Sequence, residues 1–94
     1  MIILQIEHPV PDYDGWKKAF DSDPMGRERS GVKSYRITRP VDDKNYVLIE
    51  LTFEEREKAE SMLKGLQNLW KQVEGKVIGA PKARIIEVLE TKNY

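Results

Sequence analysis

His8-Pro9-Val10-Pro11-Asp12-Tyr13-Asp14-Gly15-Trp16 is the stretch that decides the fold. It follows Ile2 to Glu7, where Ile2, Leu4 and Ile6 fall on one side and Ile3, Gln5 and Glu7 on the other. That is the two-residue period of a strand. Pro9 and Pro11 cannot donate to a ladder, so the strand is expected to end at about Glu7. Asp12 suits a helix N-cap, and Asp14 suits the positive end of the helix dipole. Tyr13, Trp16 and Phe20 then recur at i, i+3 and i+7, which is one face of a helix. The chain therefore opens strand, then helix.

Working outward, Asp23-Pro24 stops that helix and predicts a one-turn helix with Asp23 as cap and Pro24 at N1, closed by Gly31. Val32 to Arg39 reads as a second strand, with Tyr35 and Ile37 on one side and Ser34, Arg36 and Thr38 on the other. Asp42 to Asn45 carries turn chemistry for a hairpin. Tyr46 to Phe53 is the clearest strand: Val47, Ile49, Leu51 and Phe53 form an unbroken apolar face. Thr52-Phe53-Glu54-Glu55 fits a Thr-x-x-Glu capping box, which predicts a second helix running to about Glu74. Ala59, Met62, Leu63, Leu66, Leu69, Trp70 and Val73 recur there at helical spacing, and Gly75 suits the position after the helix. Gly65 sits inside the helix at a cost of about 1 kcal/mol against Ala. A loop through Gly79-Ala80-Pro81 leads to a last strand, Ala83 to Glu90, with Ile86 and Val88 opposed to Ile85, Glu87 and Leu89.

The order β-α-β-β-α-β predicts an α+β fold: a ferredoxin-like sandwich in one domain, residues 1–94, with a four-stranded antiparallel sheet and both helices on one face. The helix side is expected to carry Ile2, Leu4, Ile6, Tyr35, Ile37, Val47, Ile49, Leu51, Phe53, Ile86 and Val88. The open side is left with Ile3, Leu48, Ile85 and Leu89 among Gln5, Glu7, Arg36, Glu50 and Glu87. Such a face is too apolar to stand in water, so it predicts a homodimer through the open sheet face. Arg36 and Glu50 are expected to form an ion pair at that interface. An anion-binding Arg36 inside the barrel is the alternative.

Sixteen basic and sixteen acidic residues cancel, which removes the electrostatic pull toward nucleic acid or anionic membrane. No apolar run approaches the ~20 residues of a membrane span. The N-terminus lacks the basic start of a signal peptide, and there is no cysteine for disulfides or thiolate metal sites. A cytoplasmic protein without metal is expected.

The run His8-Pro-Val-x-Asp-Tyr-Asp-x-Trp16-Lys17, with Phe20-Asp21-x-Asp23-Pro24, resembles the dimeric α/β-barrel superfamily. Gly31-Val32, Tyr35-Arg36, Arg39-Pro40 and Val47-Leu-Ile-Glu50 fit the same resemblance, which covers nearly the whole chain. The nearest in pattern are small bacterial proteins labelled antibiotic biosynthesis monooxygenase-like. The resemblance implies a dimeric α/β barrel. It leaves the chemistry open, because the superfamily holds cofactor-free oxygenases, haem-degrading enzymes and isomerases. Quinone-forming members use a Trp and an Asn about one helical turn apart. Here Trp70 has Leu66 one turn before it, and Asn68 is two residues away on another face. Haem-degrading members use a helical His, and the second helix has none, so no cofactor is expected.

His8, the only histidine, is the candidate acid–base residue, since its ordinary pKa lies near neutrality. Its structural alternative is a hydrogen-bonded residue at a strand end. Trp16, Tyr35, Phe53 and Trp70 are candidate ligand-binding residues around a sheet–helix cavity; plain core is the alternative. Arg27-Glu28-Arg29 reads as a solvated face, with recruitment of an acidic ligand as the other reading. Two functions follow. The first is an enzyme holding a small aromatic or polyketide-like molecule, with His8 as acid or base, Trp16 as stacking wall and Tyr35 as orienting hydroxyl. The second is a non-catalytic dimeric binding or structural module. The first requires His8, Trp16 and Tyr35 to converge on one enclosed space.

Overall fold

The computed structural model describes residues 1–73 and 80–94. Six elements follow in order: β1 (Ile2–Pro9), α1 (Tyr13–Asp21), β2 (Ser34–Thr38), β3 (Tyr46–Phe53), α2 (Arg56–Val73) and β4 (Lys82–Glu87). The strands form one antiparallel sheet in the order β2-β3-β1-β4. This is the ferredoxin-like α+β arrangement expected from the sequence. No described helix is long and apolar enough to cross a membrane.

The central pair sets the core. Leu4 opposes Leu51, Ile6 opposes Ile49 and His8 opposes Val47. Opposed residues share a face, so these side chains all project to one side. Leu4, Phe53 and Val47 are fully buried, each worth about 1.5–3 kcal/mol of removal from water for side chains of this size. Trp16 from α1 and Ala59 and Met62 from α2 complete the same cluster, so both helices cover that face.

β1 continues two residues past the expected end. β4 leaves the ladder at Glu7, opposite Lys82, so Pro9 has a neighbour only in β3, at Tyr46. A missing N–H is harmless where one partner strand has stopped. Val10 then donates to the Asn45 carbonyl at 2.7 Å, carrying the chain into α1.

Other boundaries differ from the sequence reading. Thr52 does not cap a helix. It lies in β3 between Ile3 and Ser34, its carbonyl accepts from Lys33 N at 2.7 Å, and α2 begins at Arg56. Asp23-Pro24 starts a set of turns, not a helix, because Asp23 takes a left-handed φ of 51°. β4 has the opposite phase to the one expected. Ala83 and Ile85 oppose Ile6 and Leu4 and pack on the core, while Arg84 and Ile86 oppose Gln5 and Ile3 on the open face. Glu87, opposite Ile2, therefore lies on the helix side and not among the open-face carboxylates. Gly75, Gly79 and the Val73 side chain lie outside the described residues.

Arg36 and Glu50 stand directly opposite each other and form their ion pair within one chain, Nη2 to Oε1 at 2.6 Å. Arg84 donates to Gln5 Oε1 at 2.8 Å in the same row of the open face, and Tyr46 donates to Glu7 Oε1 at 2.8 Å.

Candidate functional site

A cavity of about 330 Å³ lies between the sheet and the two helices. Its sheet wall is Ile6, Ile49 and Leu51, its α1 wall Trp16 and Phe20, and its α2 wall Met62, Leu66, Leu69 and Trp70. Met25, Arg27 and their neighbours in the loop after α1 line its remaining side, and the cavity stays partly open to solvent. The size and the mostly apolar lining suit a small organic molecule.

The position of Trp16 follows from the capping signal. Asp12 accepts from Gly15 N at 2.9 Å, which fixes the first turn of α1. One turn in, Trp16 meets His8 edge-on, with ring centroids 5.9 Å apart and planes at 65°. Trp16 also packs on Phe20 at 5.2 Å. Such contacts hold both rings at fixed angles along the cavity.

His8 is only 2% exposed and lines the cavity. Its Nδ1 lies 3.0 Å from the Pro9 carbonyl. A carbonyl can only accept, so Nδ1 carries the proton and Nε2 keeps a free lone pair. Nε2 has no hydrogen-bonding partner among the described residues. No sealed side-chain nitrogen or oxygen there lacks a partner, so Nε2 opens on the cavity. Burial holds the imidazole below its usual 6.5 and outweighs the upward pull of the Pro9 carbonyl, which leaves His8 neutral at pH 7.

The loop after α1 is wound by its own hydrogen bonds. Asp23 Oδ1 accepts from Arg27 N at 2.9 Å, and Ser30 Oγ donates to the Met25 carbonyl at 2.9 Å. Met25 then reaches α2 where Gly65 leaves a notch. A Cβ at Gly65 would overlap Met25 Cε and stand 3.2 Å from its Sδ. The interior glycine of α2 is thereby accounted for: it admits a side chain that lines the cavity.

Of the residues singled out from sequence, His8, Trp16 and Trp70 line the cavity, and Tyr35 and Phe53 do not. Phe53 opposes Ile2, at the far end of β1 from His8, and is sealed in the core. Tyr35 is 47% exposed on β2 and packs edge-on against Phe20 at 5.1 Å. The cavity thus holds His8 and Trp16 without Tyr35, so the three do not converge: the enzyme reading in its three-residue form fails, and only a form resting on His8 and Trp16 is left. Met25 was missed, and for Arg27 the less favoured of two readings, a place at the pocket, is the one the structure fits. Arg27, read as part of a solvated face, lines the cavity; Glu28 and Arg29 beside it are exposed. The signal available for Met25 was the unexplained Gly65.

Neither a protein-family model nor a curated protein matches the chain in sequence. Solved structures do share its fold. SnoaB, a cofactor-independent oxygenase from Streptomyces nogalater, superposes with a TM-score of 0.74 at 11% identity, over 96% of this chain and 94% of that one. A Nitrosomonas europaea protein provisionally assigned as an antibiotic biosynthesis monooxygenase gives a TM-score of 0.61 at 18% identity, over 96% and 100% of the two chains. A dimeric ferredoxin-like protein from an uncultured marine organism gives 0.67 at 8% identity, over 99% and 92%. At these identities the similarity establishes the fold alone, the ferredoxin-like α+β arrangement.

Proposed function

We propose that the protein is a cytoplasmic homodimer that binds a small, flat, aromatic or polyketide-like molecule between sheet and helices and acts on it as a cofactor-independent monooxygenase-like enzyme. His8 is the acid–base residue. The observation that carries this reading is its Nε2: a neutral, buried imidazole whose lone pair faces an apolar chamber walled by Trp16 and Trp70. A buried group of shifted pKa in a cavity is the usual form of a general base. A phenol or enol lying along Trp16 with its hydroxyl at Nε2 passes its proton to the imidazole. The electron-rich anion that results is the form dioxygen oxidises without a cofactor. The apolar walls lower the local dielectric and strengthen the anion's pairing with the imidazolium. The fold shared with SnoaB supports this reaction class.

The dimer reading rests on the open face. Ser34, Thr52, Ile3 and Ile86 form one row across it, Arg36, Glu50, Gln5 and Arg84 the next, and Thr38, Leu48, Glu7 and Lys82 a third. Ile3, Leu48 and Ile86 are apolar groups that the chain's own elements leave half-exposed. A two-fold copy laid on this face covers them and leaves each Arg36–Glu50 pair at the seam.

The test is native mass spectrometry of the protein incubated with hydroxylated naphthalenes, anthrones and flavonoids, followed by oxygen uptake on whatever binds. The reading predicts one ligand per chain, with uptake that is lost in His8→Asn while binding persists. Retention of no compound across the set contradicts it. Binding without catalysis is the second reading, favoured by Tyr35 lying outside the cavity, which leaves the ligand without its orienting hydroxyl. It predicts a bound ligand and background oxygen uptake in both proteins.

A further inference from the structure

We propose that Arg27 sets the ligand specificity of this cavity by binding a carboxylate on the flat molecule. The proposal rests on the reading of the cavity as a small-molecule site, and adds the class of ligand that it takes. The aromatic wall runs as a chain of contacts: His8 meets Trp16, Trp16 meets Phe20, and Phe20 meets Arg27. A ligand that spans this wall has His8 at one end and Arg27 at the other.

Arg27 is built for the task. Its guanidinium lies 3.9 Å from the centre of the Phe20 ring and 5.2 Å from that of Tyr35. Its Nη1 donates to the Phe20 carbonyl at 2.8 Å and stands 3.5 Å from Asp23 Oδ1. Those contacts hold the plane of the group and use one edge of it. Nε and Nη2 have no acceptor among the described residues. Because no sealed nitrogen there lacks a partner, both reach open space, and Arg27 belongs to the cavity lining. Two parallel N–H donors on one edge of a fixed guanidinium match the two oxygens of a carboxylate. Asp23 offsets part of the charge from the opposite edge, but it leaves that fork free. Stacking on Phe20 has already fixed the side chain, so little rotamer freedom remains to be lost when the ligand arrives.

The ligand class is therefore an elongated aromatic acid, with a hydroxyl for His8 at one end and a carboxylate for Arg27 at the other. Anthraquinone-2-carboxylate and neutral 2-(hydroxymethyl)anthraquinone are suitable probes, titrated by quenching of Trp16 and Trp70 fluorescence. The wild-type protein is expected to bind the acid roughly tenfold or more tighter than the alcohol, as a charge-assisted paired bond requires. Arg27→Gln should abolish that preference and leave the neutral probe within about twofold of wild type. Arg27→Lys, which keeps the charge and loses the fork, should fall between them. Equal binding of both probes by the wild type, or a preference that survives in Arg27→Gln, overturns the proposal alone. Loss of the neutral probe in either variant assigns Arg27 to holding the loop and also overturns it. Binding of neither probe by the wild type removes the cavity reading together with it.

Discussion

Replacing Gly65 by Ala tests the Met25 wall of the cavity from the outside. In an ordinary helix interior this change stabilises by about 1 kcal/mol, because glycine loses more backbone freedom on folding. At this position the new methyl overlaps Met25 Cε and crowds its Sδ at 3.2 Å, so Met25 must leave its notch. Cε is the free end of a flexible side chain and can swing aside, so the cost sits at the low end of the overpacking range, about 1 kcal/mol. The net expectation for Gly65→Ala is a change of about zero, the usual gain being cancelled. Met25→Ala removes the obstacle, and in that background Gly65→Ala should stabilise by the usual ~1 kcal/mol. The coupling between the two sites is then about 1 kcal/mol, read from urea unfolding of the four proteins in a double-mutant cycle. A Gly65→Ala effect of the same sign and size in both backgrounds would refute the contact between Met25 and α2. The cavity would then lack the Met25 wall described here.

The remaining predictions concern His8 and the open face. The folded pKa of His8 lies below its unfolded value of 6.5, so the unfolded chain takes the proton more readily. Its contribution to stability is complete above the unfolded value and is lost as pH falls through the folded one. Urea midpoints should fall as the pH drops below the unfolded value of 6.5, and His8→Asn should flatten that slope; equal slopes in the two proteins would contradict a buried neutral imidazole. Leu48→Glu places a charge among the half-exposed apolar groups of the open face and should weaken self-association by at least about tenfold in sedimentation. A wild-type protein that is monomeric at micromolar concentration contradicts the dimer.

Several features were legible because one physical signal dominated. Val47, Ile49, Leu51 and Phe53 have no rival face, so the phase of β3 was readable and fixed the core. Asp12 followed by Tyr13, Trp16 and Phe20 placed Trp16 over the sheet through its cap and period. β4 was not readable in the same way. Ile85 and Ile86 give both faces an apolar residue, and Val88 and Leu89 beyond them do the same. Only the pairing of Ala83 with Ile6 and Ile85 with Leu4 decides it. Thr52 carries a capping signature, but the ladder with Ile3 and Ser34 claims its backbone first.

The site was legible in part for similar reasons. His8 alternates correctly with Leu4 and Ile6, so its inward direction followed from the period of two. Tyr35 also alternates correctly, yet it stands on an edge strand and meets Phe20 away from the cavity. Arg27 depends on a loop whose course is set by the positive φ of Asp23 and by that residue's bond to Arg27 N. No periodicity reports such a turn, so a cavity-lining arginine read as solvated charge.

The central claim is that the space under His8 and Trp16 binds a small aromatic molecule. The chain has two tryptophans, and both line that space. Proton–nitrogen NMR spectra of their indole N–H groups during titration with a flat hydroxylated aromatic test it directly. The account predicts that both indole signals move and saturate at one ligand per chain, while the amides of Arg36, Leu48 and Arg84 on the open face stay in place. Indole signals that do not move, or shifts confined to the open face, would contradict it.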